Sequence, residues 1–131
     1  MSEHPNAVLA RESYDALING DFDHLRGTLL SDDVVFHVPG RGPLAGEYQG
    51  KEAVLSYLGQ LSEITKDTMS YEPQAFLADD EHAAVMLRAH GERGGHAIDD
   101  RGVHVFRITD GKISERWSYP QDSYAVDEFF G

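Results

Sequence analysis

In the first half of the chain apolar side chains return every three or four residues; after Lys66 they return every second residue. The first spacing keeps one face of a helix apolar, and the second keeps one face of a strand apolar. Residues 6 to 19 read as a helix with Leu9, Ser13, Ala16, Leu17 and Gly20 along one side. Asn19-Gly20 stops it, because glycine takes positive φ without steric cost. Asp21 then caps a short second helix carrying Phe22, Leu25 and Leu29. Val34 to Val38 reads as a strand, ended by Pro39. Lys51 to Lys66 is a third helix, with an apolar stripe of Val54, Tyr57, Leu58, Leu61 and Ile64 or Thr65.

The period-two half predicts a run of strands. Met69 to Ala78 is followed by the turn Asp79-Asp80-Glu81, and His82 to Arg93 carries Ala83, Val85, Leu87 and Ala89 on one face. Gly94-Gly95 turns the chain into a strand from His96 to Thr109, with a break expected near Gly102. Asp110-Gly111 is a two-residue type I′ turn leading into Lys112 to Tyr119, and a helical turn closes the chain at Asp122 to Phe130. Helices first and strands later is an α+β plan: three N-terminal helices against a curved, mostly antiparallel sheet of about five or six strands. A curved sheet closed by helices leaves a cavity between them.

Composition narrows the function classes. The 131 residues suit one domain with one core. There is no cysteine, which excludes disulfides, thiolate metal sites and thiol nucleophiles. A net charge of −12, with no basic stripe, argues against nucleic acid and anionic membrane as partners. No apolar run spans a bilayer, and Met-Ser-Glu-His-Pro lacks the features of a signal peptide, so a cytoplasmic location is expected. The seven histidines show no close metal-ligand spacing. His90, His96 and His104 lie on neighbouring strands but need not face one side, so no metal is expected. No glycine pattern fits a phosphate loop, and no nucleotide cofactor is implied.

Two histidines stand out as proton carriers, since imidazole titrates near neutral pH. His104 sits in the apolar strand Val103-His-Val-Phe. Strict alternation from the Asp110-Gly111 turn pairs Thr109 with Lys112 and sets Ile108 opposite Ile113, Phe106 opposite Glu115 and His104 opposite Trp117. A β-bulge in the last strand would instead bring Arg116 and Ser118 to that face; both registers are open. His37 ends the first strand, where alternation separates Phe36 and Val38 from Val35 and His37. Behind it run the twelve residues Pro39 to Gly50, with four glycines and two prolines. This segment is expected to be a lid with His37 on its rim. Trp117 and Tyr57 read as core or pocket wall. Tyr14 either presents its hydroxyl to the cavity or packs at the surface, the latter being favoured. Arg116 either joins the cavity or pairs with an acid across the sheet.

Several segments resemble the SnoaL-like proteins of the nuclear transport factor two-like superfamily. They are Ala16-Leu-Ile-Asn-Gly-Asp21, Asp33-Val-Val-Phe-His-Val-Pro-Gly40, Pro43-Leu-Ala-Gly-Glu-Tyr-Gln-Gly-Lys-Glu-Ala-Val54 and Val103-His-Val-Phe-Arg-Ile-Thr-Asp-Gly-Lys-Ile113. Trp117 and the tail Asp122-Ser-Tyr-Ala-Val-Asp-Glu-Phe-Phe130 extend the match over nearly the whole chain. The resemblance implies a cone around a deep apolar pocket, a homodimer through the outer sheet face, and an apolar, cyclic small molecule as ligand. Ketosteroid isomerases of this superfamily use a carboxylate base and an oxyanion hole of a tyrosine with a protonated acid. Those positions fall on Val38, near Ser13 with Tyr14 adjacent, and on His104, so that mechanism does not transfer. The last-strand acid of limonene epoxide hydrolase falls on Ser118. Cyclases of the SnoaL-like kind use an aspartate and histidines as a proton shuttle, for which His104 and His37 are the candidates here. The resemblance thus implies a cofactor-independent isomerase, cyclase or hydrolase-like enzyme with His104 and His37 catalytic. Tyr14, Leu17, Val38, Tyr57, Phe106, Arg116 and Trp117 would line its pocket. The alternative is a ligand-binding or assembly module of the same fold without chemistry.

Overall fold

The computed structural model of the chain describes residues 3–130. Helix α1 (Pro5–Ile18) starts with proline in its first turn and His4 Nδ1 accepting the amide of Asn6. Gly20, at φ 69°, reverses the chain, and the amides of Gly20 and Asp21 donate to the carbonyls of Leu17 and Ala16. Asp21 Oδ1 then accepts from the His24 amide and caps α2 (Phe22–His24), which runs on as a π turn, Leu25–Leu29. The strands are β1 (Leu30–Val38), β2 (Gly46–Gln49), β3 (Ser70–Ala78), β4 (His82–Arg93), β5 (His96–Thr109) and β6 (Lys112–Pro120). Helix α3 (Lys51–Ile64) lies between β2 and β3, and α4 (Ser123–Phe130) follows β6.

All six strands form one sheet in the order β2-β1-β6-β5-β4-β3. Every pairing is antiparallel except β1 with β6, which makes the sheet mixed. Helix α1 packs on β3 and β4, α3 on β1 and β2, and α4 on β5. Leu29, Leu30, Val34, Val54, Val85 and Ile113 are sealed between the layers. Each such aliphatic side chain contributes about 1.5–3 kcal/mol by leaving water.

The departures from expectation have local causes. Among the described residues there are four helices rather than three, because α4 makes two full turns instead of a single closing one. Strand β1 begins at Leu30, four residues early; the polar run Ser31-Asp32-Asp33 hides it by breaking the alternation. The glycine-rich segment after Pro39 contains the edge strand β2, too short and exposed to show a period. Strand β5 runs unbroken through Gly102, where a Cβ would come within 2.7 Å of the Tyr119 carbonyl oxygen. Asp110 and Gly111 both have positive φ, as a type I′ turn requires. No helix among the described residues is long and apolar enough to cross a membrane.

Two bulges decide which side chains face the helices. In β6, Ile113 pairs with Ile108 and Glu115 with Arg107, which leaves Ser114 as an extra residue. Its hydroxyl donates to the Arg107 carbonyl and bonds to Thr109 Oγ1, so the bulge is filled by polar contacts of its own. In β3, Pro73 pairs with Leu87 and Ala75 with Met86, leaving Gln74 over. Proline cannot donate to the ladder, which suits the bulge and the sheet edge. The inner face consequently carries the row Tyr48, Phe36, Arg116, Phe106, Ala83, Ala78, and beside it Ser118, His104, Val85, Phe76. The outer face carries Glu47, His37, Trp117, Val105, Ala84, Leu77.

Candidate functional site

His104 sits mid-strand on β5 and faces α1, only 7% exposed. Its Nδ1 lies 2.6 Å from the hydroxyl of Tyr14 on α1. Tyr14 belongs to a wide buried face of the helix that includes Ala7, Ala10, Ser13 and Ala16. Tyr14 is therefore interior, and the expectation that it packs at the surface is corrected. Tyr71 of β3 comes up beside His104, with ring centroids 5.7 Å apart. The bulge at Gln74 puts Tyr71 there: counting back from inner Phe76 and Ala78 by strict alternation sends it outward.

Arg116 completes the group. It is 6% exposed, on the inner face between Phe36 and Phe106, with its guanidinium carbon 4.4 Å from the centre of the Phe36 ring. Of the two registers left open by the sequence, the bulged one is realised. His104 faces Ser118 rather than Trp117, and Phe106 faces Arg116 rather than Glu115.

The electrostatics follow from burial. Desolvation, reinforced by the positive charge of Arg116, holds the His104 imidazole well below its ordinary value, so the ring is neutral at pH 7. Desolvation pushes the phenols of Tyr14 and Tyr71 up, against the pull of Arg116. The pair is therefore a neutral phenol and a neutral imidazole sharing one short hydrogen bond, with a cation next to it.

Two cavities meet at this group. The outer one, about 80 Å³, is lined by Val38, Tyr57, Tyr71, His104, Arg116 and Ser118. Leu44 and Ala45 of the glycine-rich segment and Val126 and Phe130 of α4 stand over it. The inner one, about 40 Å³, is lined by Tyr14, Leu17, Phe106, Tyr71, His104 and Arg116. Tyr71, His104 and Arg116 border both and form the partition between them. The segment and α4 are tied together: Asp127 Oδ1 accepts the Arg41 amide at 2.6 Å, and a Cβ on Gly40, at φ 99°, would meet that oxygen at 2.2 Å. Asp100 lines the outer cavity, but its two carboxylate oxygens accept the amides of Gln121 and Asp122.

The structure thus brings together His104, Tyr14, Leu17, Val38, Tyr57, Phe106 and Arg116. It separates His37 and Trp117 from them. Alternation along β1 turns Phe36 and Val38 inward and His37 outward, and the Ser114 bulge turns Trp117 outward. There the two rings stack, centroids 5.4 Å apart, and His37 Nε2 lies 2.5 Å from Glu115 Oε2. His37 does not stand on the rim of either cavity. Tyr71 was missed because its strand breaks alternation at Pro73; an aromatic preceding a proline by two residues was the available signal. Among the described residues no group of three or more metal-ligating side chains gathers.

Comparison with known proteins agrees with this architecture. The model of the SnoaL-like domain matches residues 10–116. Bal32a, from a soil-derived mobile gene cassette, is 30% identical with a TM-score of 0.93, covering 97% of each chain. An NTF2-like protein of Burkholderia xenovorans is 23% identical with a TM-score of 0.85, covering 100% of this chain and 99% of its own. IdmH, a putative polyketide cyclase from Streptomyces antibioticus, is 20% identical with a TM-score of 0.73, covering 90% of this chain and 93% of its own. The α+β arrangement with a six-stranded mixed sheet is the NTF2-like fold.

Proposed function

Because the chain belongs to the SnoaL-like domain family, we propose that it holds an apolar, cyclic small molecule in a conical pocket between sheet and helices, and that Tyr14 and His104 move a proton on it. The reaction would be of the isomerase or cyclase type, without a cofactor. The observation that carries this reading is the buried 2.6 Å contact between the Tyr14 hydroxyl and His104 Nδ1. A neutral imidazole can accept a proton, and a phenol bonded to it can stabilise an oxygen that gains charge. These are the places where the resemblance put an oxyanion hole, now occupied by a tyrosine one position along and a histidine in place of the acid. The likeness to a putative polyketide cyclase supports a carbonyl compound as ligand.

Deuterium uptake at the α carbon of β-tetralone, followed by NMR, tests the chemistry. The wild type should accelerate exchange, His104→Ala should lose that acceleration, and Tyr14→Phe should weaken it. Equal exchange with and without protein sinks the catalytic reading.

A second reading, a binding module without chemistry, is favoured by one feature: the carboxylate of Asp100 is occupied by backbone amides and offers no base. Shifts of the His104 ring signals on adding β-tetralone, with no deuterium uptake, would select it.

A homodimer through the outer sheet face belongs to the same proposal. Its support is the apolar row of Trp117, Val105 and Leu77, with exposed Met86 beside it. Sedimentation of Trp117→Glu should give a monomer; a wild type already monomeric at working concentration refutes the interface.

A further inference from the structure

Among the described residues Arg116 is a cation without a counter-ion. Its Nε is sealed from solvent and donates to nothing. No ion pair among the described residues includes it. The face of Phe36 offers attraction to the charge but no hydrogen-bond acceptor. The carboxylates bordering the outer cavity are Asp100 and Asp127, and each is held by backbone amides. A buried, unbalanced guanidinium is costly to a fold. The other arginines with nearby acids lie where water reaches them, as Arg88 does between Glu72 and Asp99. Among the described residues Arg116 is thus a buried cation with no electrostatic partner.

The surroundings describe that partner. The guanidinium borders both cavities, next to the Tyr14–His104 pair. The remaining walls are mainly aromatic and aliphatic, with Phe36 and Leu17 within and Val38, Leu44 and Tyr57 outside; Ser13, Ser118 and the two amide-bound carboxylates are the polar exceptions. A guanidinium is a planar fork that matches a delocalised oxyanion with two parallel hydrogen bonds. Nothing else in the cavity would neutralise a bound charge, since His104 is neutral and the phenols keep their protons.

We propose that the cavity selects an apolar ring bearing a delocalised oxyanion, either a carboxylate or an acidic enolate, with Arg116 as its buried counter-ion. This rests on the apolar-ligand reading above and sharpens it to a charged class. The oxyanion sits at the partition, and the ring fills the outer cavity under Leu44 and Phe130. Arg116 holds the ligand and takes no proton.

The test pairs charged probes with neutral analogues: benzoate with benzamide, and dimedone, ionised at neutral pH, with isophorone. Binding is read by NMR titration of the wild type, Arg116→Met and, should that variant not fold, Arg116→Gln. Benzoate, dimedone or both should bind the wild type about tenfold more tightly than the neutral partner, a preference erased by the substitution. Preference in one pair alone identifies carboxylate or enolate as the source. Equal binding within both pairs, or a preference that survives the substitution, overturns the counter-ion role while leaving an apolar pocket standing. If no probe binds, the apolar-ligand reading fails with these rings, and thermal melting still decides Arg116. A higher melting temperature for Arg116→Met marks a cation kept at the expense of stability and supports the proposal. A lower one marks a structural strut and overturns it.

Discussion

The two faces of one sheet hold two histidines in opposite circumstances. On the inner face His104 has a phenol at 2.6 Å, a cation nearby and almost no water. On the outer face His37 has a carboxylate at 2.5 Å, a second one 3.7 Å away on Glu47, and solvent at its edge. The inner environment suppresses charge on the ring, while the outer one offers it negative partners. The same residue type, on strands of one sheet, is thereby given different surroundings by the side of the sheet it occupies. Identity alone says little about a histidine; its facing does.

The contrast can be broken from either side. The largest effect belongs to inner packing: Phe106→Ala should lower stability by about 3–5 kcal/mol in urea unfolding, since Phe106 is 3% exposed in the central row. A loss below about 1 kcal/mol would show that the inner face is loosely packed. Next comes Tyr14→Phe, which leaves the buried Nδ1 of His104 without its partner and should cost about 1–3 kcal/mol. A variant as stable as the wild type would mean that the contact is not made in solution.

The acid side of the stability profile sharpens the comparison further. The folded-state value of His104 is depressed, so below about pH 6.5 the unfolded chain binds a proton that the folded chain refuses. Its contribution therefore destabilises as pH falls through that range, by up to about 1.4 kcal/mol per pH unit, and vanishes above it. His104→Gln should flatten this limb relative to the wild type; parallel profiles would refute the assignment. The smallest effect belongs to the outer pair, where Glu115→Gln should cost less than about 1 kcal/mol because both side chains reach solvent. A larger loss would mean that this face is covered, as in a dimer.

Much of this was legible in the chain. Helical spacing at Val54, Tyr57, Leu58 and Leu61 and the Asp110-Gly111 turn located α3 and the last hairpin, and the apolar neighbours of His104 marked it as interior. What stayed hidden depends on counts that side-chain identity does not reveal. Strict alternation after Ile113 sends Trp117 inward, which apolarity also favours, and sends Arg116 out to water; only Ser114, an unremarkable serine, contradicts both. Tyr71 was concealed in the same way by Gln74. Tyr14 required knowing how wide the buried face of α1 is, which is set by the sheet beneath it rather than by the helix.

The bulge at Ser114 acts on β6 as a skipped base acts on a coding frame. Everything after it is read on the alternate phase, so an unchanged string of residues acquires a different meaning. Arg116 and Ser118 are interior because the ladder passes over one residue, not because of an affinity for the interior. Removing that one residue would join Ile113 to Glu115 in a regular ladder and leave Arg116 facing in; flattening the bulge with Ser114 retained is what would hand the cavity Glu115 and Trp117, exchanging a cation for an anion at the same depth. Where one architecture can serve many ligands, forming or flattening such a bulge offers a short route between opposite electrostatic tastes. Tryptophan emission from a Ser114 deletion should therefore stay where the wild type has it, with Trp117 still on the outer face, and a blue shift would show that a bulge has formed elsewhere in β6 and turned the ring inward.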